Sequence, residues 1–275
     1  MAFHEMNSMD FEVTESRAAR NHKLRRGVYV LPSFFTVLNL LCGFYAILET
    51  FGGRAGDMDN AARAIGAAIV FDAFDGWVAR ATGTSSEFGK QFDSLADVVS
   101  FGVAPGFLAF GWGVKGVVVS QSIAAPHVVQ LGWLACFTFV VFCAWRLARF
   151  NIGMAGGSKY FVGLPTPAAA GAIAAVVHAM WNPIEDWRKS LVWVLLVLIL
   201  GFLMASKVRY YNFKGVNWGR RRTSLAVVGM ALVMAAIVRY SEVTLLIVAS
   251  VYVLHGIVIE VLRKLRHRSS SAQPA

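Results

Sequence analysis

Long apolar stretches recur along almost the whole 275-residue sequence, and they constrain its fold more than any other feature. A helix needs about 20 mostly apolar residues to cross a bilayer. In lipid the backbone polar groups must be satisfied within the segment, so such stretches predict helices. We therefore expect an all-α, polytopic integral membrane bundle of about eight transmembrane helices. The predicted spans are 33–51, 61–80, 93–114, 128–149, 161–181, 190–207, 224–240 and 243–262.

The amino-acid composition supports this class of protein. Hydrophobic residues make up 57% of the chain and charged residues 15%, against roughly 45–50% and about 25% in soluble domains. These values exclude a disordered chain, a collagen or a coiled coil, and they argue against a soluble enzyme. The three cysteines lie in apolar stretches without paired spacing, which predicts neither a disulfide framework nor a zinc site.

The distribution of lysine and arginine predicts the orientation in the membrane. With both termini on one side, only six of the 26 basic residues fall on the other side: Arg54, Arg63, Lys115, Arg188, Lys189 and Arg239. Basic residues concentrate in cytoplasmic loops, so we expect both termini in the cytoplasm. The same bias accounts for the net charge of +10, and we predict no nucleic-acid partner.

Four segments follow from this layout. Residues 1–32 form a cytoplasmic arm, which is either an amphipathic interfacial helix or a flexible basic arm beside anionic headgroups. This arm has no apolar stretch of the kind found in a cleaved signal peptide. Residues 33–207 form the transmembrane core, 208–262 a basic loop with two C-terminal helices, and 263–275 a cytoplasmic tail.

Four aspartates lie inside the second and third apolar stretches, namely Asp72, Asp75, Asp93 and Asp97. An aspartate at mid-helix in a bilayer costs about 2.5–3.5 kcal/mol on insertion scales. The first pair is spaced i,i+3 and the second i,i+4, so each pair shares one helix face. Since a short loop joins the two helices, we expect all four carboxylates to converge in the cytoplasmic half of the membrane.

Clustered carboxylates repel one another unless protons or cations neutralise them. Hard divalent cations such as Mg²⁺ and Mn²⁺ prefer oxygen ligands and often bind substrate phosphates as well. Two such ions can clamp the oxygens of a phosphoryl transfer. The alternative is a proton relay or a cation pathway in a transporter. The four acids alone are compatible with both interpretations.

A longer motif separates these interpretations. Residues 72–97 follow the pattern D-x2-D-G-x2-A-R-x8-G-x3-D-x3-D, with fixed positions Asp72, Asp75, Gly76, Ala79, Arg80, Gly89, Asp93 and Asp97. This pattern resembles the signature of the CDP-alcohol phosphotransferase family at every fixed position. Residues 31–47, 87–106, 145–153 and 161–171 are similar to its serine-using subfamily, the CDP-diacylglycerol–serine O-phosphatidyltransferases. The resemblance covers roughly residues 30–175.

The resemblance implies a membrane phosphatidyltransferase with two metal ions, Mg²⁺ or Mn²⁺, in each active site. One ion would be bound by Asp72, Asp75 and Asp93, and the other by Asp72, Asp93 and Asp97. Asp97 would also be the general base for the serine hydroxyl. The implied substrates are CDP-diacylglycerol and L-serine, and the products are phosphatidylserine and CMP. A homodimer in a prokaryotic cytoplasmic membrane, surrounded by membrane lipids and with its active site facing the cytoplasm, is also implied.

The resemblance further implies that Gly76, Arg80 and Ser86 bind the cytidine diphosphate, together with Asn39. A guanidinium pairs well with phosphate, and Arg80 faces the same loop as the acids, which favours the ligand role over the alternative of an interfacial arginine. Asn39 is alternatively a helix–helix hydrogen-bonding residue.

The serine carboxylate needs a cation on the same side of the membrane. We predict Arg149, with Asn151 nearby, for this role. The alternative is that the arginine faces lipid headgroups. Other acceptors remain open at this point, namely glycerol 3-phosphate, inositol or an inositol phosphate, although phosphorylated acceptors would need an extra basic pocket.

Overall fold

The computed structural model describes residues 34–82, 86–120, 125–152, 160–206, 208–211 and 239–270. In these ranges the secondary structure is helical except for two three-residue strands. The predicted arm 1–32 and the predicted span 224–240, except for its last two residues, lie outside the described residues. What the sequence predicts for these two segments therefore stays a prediction.

Eight helices are described, and we number them in chain order. They are α1 (Phe34–Gly52), α2 (Ala55–Thr82), α3 (Glu87–Asp97), α4 (Ala104–Gly113), α5 (Ala125–Asn151), α6 (Thr166–Met180), α7 (Trp187–Ala205) and α8 (Ser241–Ser270). A π-helix, Val98–Val103, joins α3 to α4, and a 3₁₀-helix, Lys115–Ser120, follows α4. The strands β1 (Tyr160–Val162) and β2 (Arg209–Tyr211) pair antiparallel.

Four helical segments are long and apolar enough to cross a membrane: Phe34–Gly52, Glu87–Val117, Ala125–Asn151 and Trp187–Ala205. This result confirms a helical bundle of the membrane type and leaves the predicted number of eight spans open. Helix α2 has the length of a span but carries several charged residues. Two further apolar helices, Thr166–Met180 and Ser241–Gly256, are shorter.

The predicted fifth span, 161–181, starts before its helix does. Its first residues belong to strand β1, and α6 begins only at Thr166. Gly163 has a φ of +84°, a left-handed conformation that favours glycine and interrupts a helix. Pro165 then precedes the first helical residue with an extended backbone. Hydropathy alone does not register these local breaks, so the predicted span is too long at its start.

The π-helix and α4 lie at the centre of the bundle. Large side chains from this region are fully buried, among them Phe101, Leu108 and Trp112. Helix α1 approaches closely at Gly43, where an added Cβ would lie only 2.7 Å from the Cα of Ser100. Such contacts between small residues let helix backbones approach in a membrane, where van der Waals packing replaces the hydrophobic effect as the driving force.

The π-helix itself follows from the chain's chemistry. Pro105, just inside α4, has no backbone N–H and cannot donate to the carbonyl one α-helical turn before it. The N–H of Ala104 instead donates to the carbonyl of Val99, five residues earlier. π-helices are rare and occur mostly as single turns inside α-helices, frequently at functional sites. Here the π-helix begins directly after Asp97.

A buried polar cluster joins α2, α6 and α8 at the end of the bundle opposite to the four motif aspartates. The Asp59 carboxylate accepts a hydrogen bond from Nδ1 of His178 and pairs with Arg63 at 2.8 Å. Nε2 of His178 lies 2.9 Å from the Ser241 hydroxyl oxygen. Both Asp59 and His178 are buried. We call these four residues the Asp59–His178 cluster.

We expect His178→Ala to destabilise the fold. The substitution leaves a buried carboxylate oxygen of Asp59 without its imidazole partner, which typically costs about 1–3 kcal/mol. The thermal unfolding midpoint in detergent should fall below that of the unchanged protein. His127→Ala is the matched control, because His127 is exposed on α5. An unchanged midpoint for His178→Ala would show that the cluster does not stabilise the helix contacts.

Candidate active site

The acidic residues of the motif meet where the C-terminal part of α2 faces α3. One carboxylate oxygen from each of Asp72, Asp93 and Asp97 lies within 4.8 Å of the other two. Asp72 and Asp93 are half-buried and Asp97 is buried. The i,i+4 spacing of Asp93 and Asp97 on α3 puts both on the face toward α2, as the sequence predicts. We call these three residues the carboxylate cluster.

Asp75 lies one helical turn beyond Asp72 on α2 and is also buried. Its carboxylate accepts a hydrogen bond from the hydroxyl of Thr36 on α1. The carboxylate of Asp75 therefore has an uncharged hydrogen-bond donor on a neighbouring helix. The sequence motif did not indicate Thr36, because it lies outside the motif.

Asp97 has a second contact to α1. The Nδ2 of Asn39 donates a hydrogen bond of 3.0 Å to its Oδ1. Asn39 is itself fixed to the π-helix, because the hydroxyl of Ser100 donates to its backbone carbonyl at 2.9 Å. The side-chain Oδ1 of Asn39 is buried and has no hydrogen-bond partner in the described part of the chain. The structure thus shows the helix–helix contact of Asn39 and leaves its predicted nucleotide contact a prediction.

The carboxylate cluster fits a hard divalent cation. All of its donors are carboxylate oxygens, the ligand type that Mg²⁺ and Mn²⁺ prefer. The Oδ1 of Asp93 is buried without a hydrogen-bond partner among the described residues. Buried polar atoms are normally satisfied, so an unpaired one calls for an explanation such as a bound ion. A metal held between α2 and α3 would provide that explanation and would also offset the mutual repulsion of the acids.

The residues predicted to bind the diphosphate flank this cluster. The Arg80 guanidinium folds back over Gly76, where an added Cβ would lie 3.2 Å from Nη1. Arg80 is exposed in the last turn of α2. Ser86 is the N-cap of α3, and its hydroxyl oxygen accepts a 2.9 Å hydrogen bond from the N–H of Gly89. These three predicted residues therefore lie at the facing ends of α2 and α3, beside the acids.

Helix α5 brings arginines and an asparagine to the same end of the bundle. Asn151 and Ser94, the neighbour of Asp93, exchange side-chain hydrogen bonds, with 3.0 Å from Nδ2 of Asn151 to the hydroxyl oxygen. Nη1 of Arg149 donates to the carbonyl of Ala205 at the end of α7 at 3.2 Å. The structure therefore places Asn151 against α3 and fixes Arg149 between α5 and α7.

Arg146 was not predicted as a site residue, although it lies one turn before Arg149. It is buried, and its charge interacts with that of Asp97. Its Nε has no hydrogen-bond partner in the ranges that the structure describes. The available signal was its position near the C-terminal end of an apolar helix, where a buried charge is rarely without function.

Comparison with known protein families agrees with the resemblance noted from the motif. Residues 29–204 match the CDP-alcohol phosphatidyltransferase family. This range contains every described residue of the site.

Several curated proteins are similar over most of the chain. A CDP-diacylglycerol–serine O-phosphatidyltransferase from Helicobacter pylori is 33% identical over 234 residues, which is 84% of this chain and 91% of that protein. An archaetidylserine synthase from Methanothermobacter thermautotrophicus is 32% identical, covering 72% of this chain and 76% of the relative. A CDP-diacylglycerol–serine O-phosphatidyltransferase from Methanocaldococcus jannaschii is also 32% identical, covering 68% and 77%.

Proposed function

The chain belongs to the CDP-alcohol phosphatidyltransferase family, and we propose that it is a CDP-diacylglycerol–serine O-phosphatidyltransferase. It is a transferase that converts CDP-diacylglycerol and L-serine into phosphatidylserine and CMP. The observation that carries this proposal is the carboxylate cluster, formed by the family motif at the point where α2 meets α3. The names of the relatives given above contain serine, either as the acceptor or as part of the product. These names support L-serine as the acceptor.

Asp97 is the general base in this proposal. The serine hydroxyl attacks the phosphorus that carries the diacylglycerol, its proton passes to the Asp97 carboxylate, and the bond from that phosphorus to CMP breaks. A hydroxyl is a poor nucleophile until a positioned base takes its proton. The hydrogen bond from Asn39 fixes the orientation of the carboxylate. The burial of Asp97 keeps it away from bulk water.

Asp72, Asp75, Asp93 and Asp97 would hold two ions, Mg²⁺ or Mn²⁺. Bound there, the metals supply positive charge that stabilises the diphosphate and the departing CMP. Asp72 and Asp93 are common to both predicted ligand sets, and both belong to the carboxylate cluster. Asp75, held by Thr36, would complete the set for one ion.

The flanking residues would bind the two substrates. Arg80, Gly76 and Ser86 are proposed for the diphosphate and cytidine, since Gly76 lets the Arg80 guanidinium lie close to the α2 backbone beside the acids. Asn39 would contribute its buried and otherwise unpaired Oδ1 to the nucleotide. Arg149 and Asn151 are proposed for the serine carboxylate. Arg146, buried at the same end of the bundle, is proposed as a positioning residue whose positive charge acts on Asp97 through space.

We expect Arg149→Gln to raise the KM for serine at least about tenfold, because a charged hydrogen bond to a carboxylate contributes roughly 1.5–3 kcal/mol. The kcat at saturating serine should change little. Initial rates of CMP release over a serine titration measure both values. Lys189→Gln, an exposed cation at the start of α7, is the control. An unchanged KM for serine would remove Arg149 from the binding site, and Arg146→Gln would then be the next variant to titrate.

The membrane arrangement is also a proposal. It has eight spans, both termini in the cytoplasm, the active site facing the cytoplasm and a homodimer in a prokaryotic cytoplasmic membrane. The excess of basic residues on the proposed cytoplasmic side supports the orientation. Cysteine accessibility at the exposed residues Arg54 and Glu87, on opposite sides in this arrangement, tests it in inverted vesicles.

A panel of acceptors tests the proposed reaction directly. Purified protein receives CDP-diacylglycerol, Mg²⁺ or Mn²⁺, and one alcohol at a time, and CMP release is measured. We expect release with L-serine and little with glycerol 3-phosphate, inositol or inositol phosphate. Release with another alcohol alone would keep the chemistry and change the acceptor. No release with any alcohol would refute the transferase proposal and favour a transport function.

A further inference from the structure

The Asp59–His178 cluster has a chemical feature that helix packing alone does not require. Its imidazole lies between an acid and a hydroxyl: Nδ1 of His178 contacts the Asp59 carboxylate, and Nε2 lies 2.9 Å from the Ser241 hydroxyl oxygen. The three residues come from three different helices, α2, α6 and α8. An acid, an imidazole and a serine hydroxyl joined in this order form the constellation of the serine hydrolases, which is recognised by geometry and roles, not by sequence position.

The hydrogen bonds of His178 give the imidazole the polarity that a general base needs. A carboxylate only accepts hydrogen bonds, so Nδ1 carries a proton and donates to Asp59. In the neutral imidazole Nε2 then has the free electron pair, and the Ser241 hydroxyl donates to it. Arg63 pairs with the other oxygen of the Asp59 carboxylate at 2.8 Å, so its charge is compensated without a protonated imidazole. His178 is therefore placed to take the proton of the Ser241 hydroxyl.

A cavity of about 800 Å³ lies beside this constellation, and both Ser241 and His178 line it. Its volume is in the range of about 300–1,000 Å³ that is typical of small-molecule sites. The other walls are mostly small or apolar side chains, including Ala62, Ile69, Ala174, Leu245 and Val248. The carboxylate cluster contributes no residue to this lining. The cavity thus brings an apolar molecule to the hydroxyl at a place that the transferase mechanism does not use.

The first turn of α8 carries donors for the negative charge that develops on an attacked carbonyl oxygen. Ser241 is the first residue of α8, and Glu242 and Val243 follow it. The N–H groups at the start of a helix have no acceptor within that helix and favour nearby negative charge. In many hydrolases the residue after the nucleophile supplies an N–H to the oxyanion. The N–H of Glu242 has this position relative to Ser241.

We propose that Ser241, His178 and Asp59 form a second catalytic site, which hydrolyses a carboxylic ester with an apolar acyl group. The Ser241 oxygen attacks the ester carbonyl carbon, and Nε2 of His178 takes the hydroxyl proton. The bond from the carbonyl carbon to the alkoxy oxygen breaks, the alcohol leaves with the proton from His178, and an acyl-serine remains. A water molecule then attacks the acyl-serine, its proton passes through His178 to the Ser241 oxygen, and the carboxylic acid is released. Asp59 orients the imidazole and is a positioning residue.

Chemical labelling tests the nucleophile. The purified full-length chain is kept in detergent with a chelator and without CDP-diacylglycerol, so the outcome is independent of the proposed transferase activity. An alkyl fluorophosphonate forms a stable adduct with an activated serine hydroxyl, and peptide mass spectrometry locates it. We expect the adduct on Ser241 and its loss in Ser241→Ala. Ser250→Ala is the matched control, because Ser250 is an exposed serine on the same helix, and it should leave the labelling rate within about twofold.

Hydrolysis of p-nitrophenyl octanoate measures turnover under the same conditions. Its initial rate should fall at least about 10²-fold in Ser241→Ala, which removes only a half-buried hydroxyl. Asp59→Asn should slow the labelling of Ser241 at least about 10²-fold, because an amide no longer fixes the tautomer. Asp59→Glu keeps the acceptor and should retain more of the rate. The thermal unfolding midpoint of each variant is measured alongside, so that a loss of reactivity is read on folded protein.

Two results overturn this inference. One is the absence of an adduct on Ser241 when a soluble serine hydrolase in the same detergent is labelled. The other is hydrolysis of the ester by Ser241→Ala at the rate of the unchanged protein. In either case the Asp59–His178 cluster is a packing contact only, and the proposed transferase function is unaffected.

Discussion

Serine-dependent CMP release should fall by about 10²–10⁴-fold in the Asp97→Asn enzyme, the range that a positioned general base contributes. An amide of nearly the same shape cannot accept the serine proton. The oxygen that accepts the 3.0 Å hydrogen bond from Asn39 is retained, so the local contact between α1 and α3 can persist. Binding of CDP-diacylglycerol should largely be spared, because Asp72, Asp75 and Asp93 remain.

Two measurements check this expectation. Rates of CMP release over a serine titration give kcat, and binding of a radiolabelled CDP-diacylglycerol reports the ground state. Glu185→Gln is the control, since it makes the same change of acid to amide at an exposed residue before α7. Activity of Asp97→Asn within tenfold of the unchanged enzyme would reject Asp97 as the base.

The second large effect is expected at Asp72, the acid common to both predicted metal sets. Asp72→Ala removes one of the three oxygens that lie within 4.8 Å of one another. We expect turnover and metal dependence to disappear together, with a loss of at least about 10³-fold, because a charge-stabilising group acts most strongly in a water-excluded site. Titration with Mn²⁺, followed both by activity and by the electron paramagnetic resonance of free Mn²⁺, measures both effects.

Asp57→Ala serves as the control for this variant, because Asp57 lies in the first turn of the same helix, far from the carboxylate cluster. It should keep both the activity and the response to Mn²⁺. If the unchanged enzyme works fully after exhaustive chelation, the proposal of two metals fails regardless of the variants.

The central geometry could be predicted because it depends on helix periodicity. The i,i+4 spacing of Asp93 and Asp97 places both on one face of α3, and a short connection forces α2 to run beside it. Three of the four acids meet as this reasoning requires. Asp75 also lies at this end of α2, but its contact with Thr36 needs the position of α1, which no spacing within the motif contains.

Other contacts could not be predicted because they depend on how distant segments pack. Arg146 and Arg149 are nearly equivalent in the sequence, one turn apart on the same helix. Only the packed bundle distinguishes them: the charge of the first interacts with Asp97, whereas the second donates to Ala205 on α7. The Asp59–His178 contact joins residues 119 positions apart. Hydropathy also failed at the start of α6, where Gly163 and Pro165 interrupt an apolar run.

The π turn after Asp97 has a consequence for how this helix can vary. One extra residue in a turn rotates everything beyond it by about 100° relative to an uninterrupted α-helix. In the segment Glu87–Val117, the side chains after the π turn therefore point in directions that an uninterrupted α-helix would not give them relative to the acids before it. Deleting Val99 would remove the surplus residue, restore regular winding and leave Phe101 and Trp112 facing the interior. The loss of one residue at this joint would thus change only the winding of a single turn, without redirecting any acid or any buried side chain.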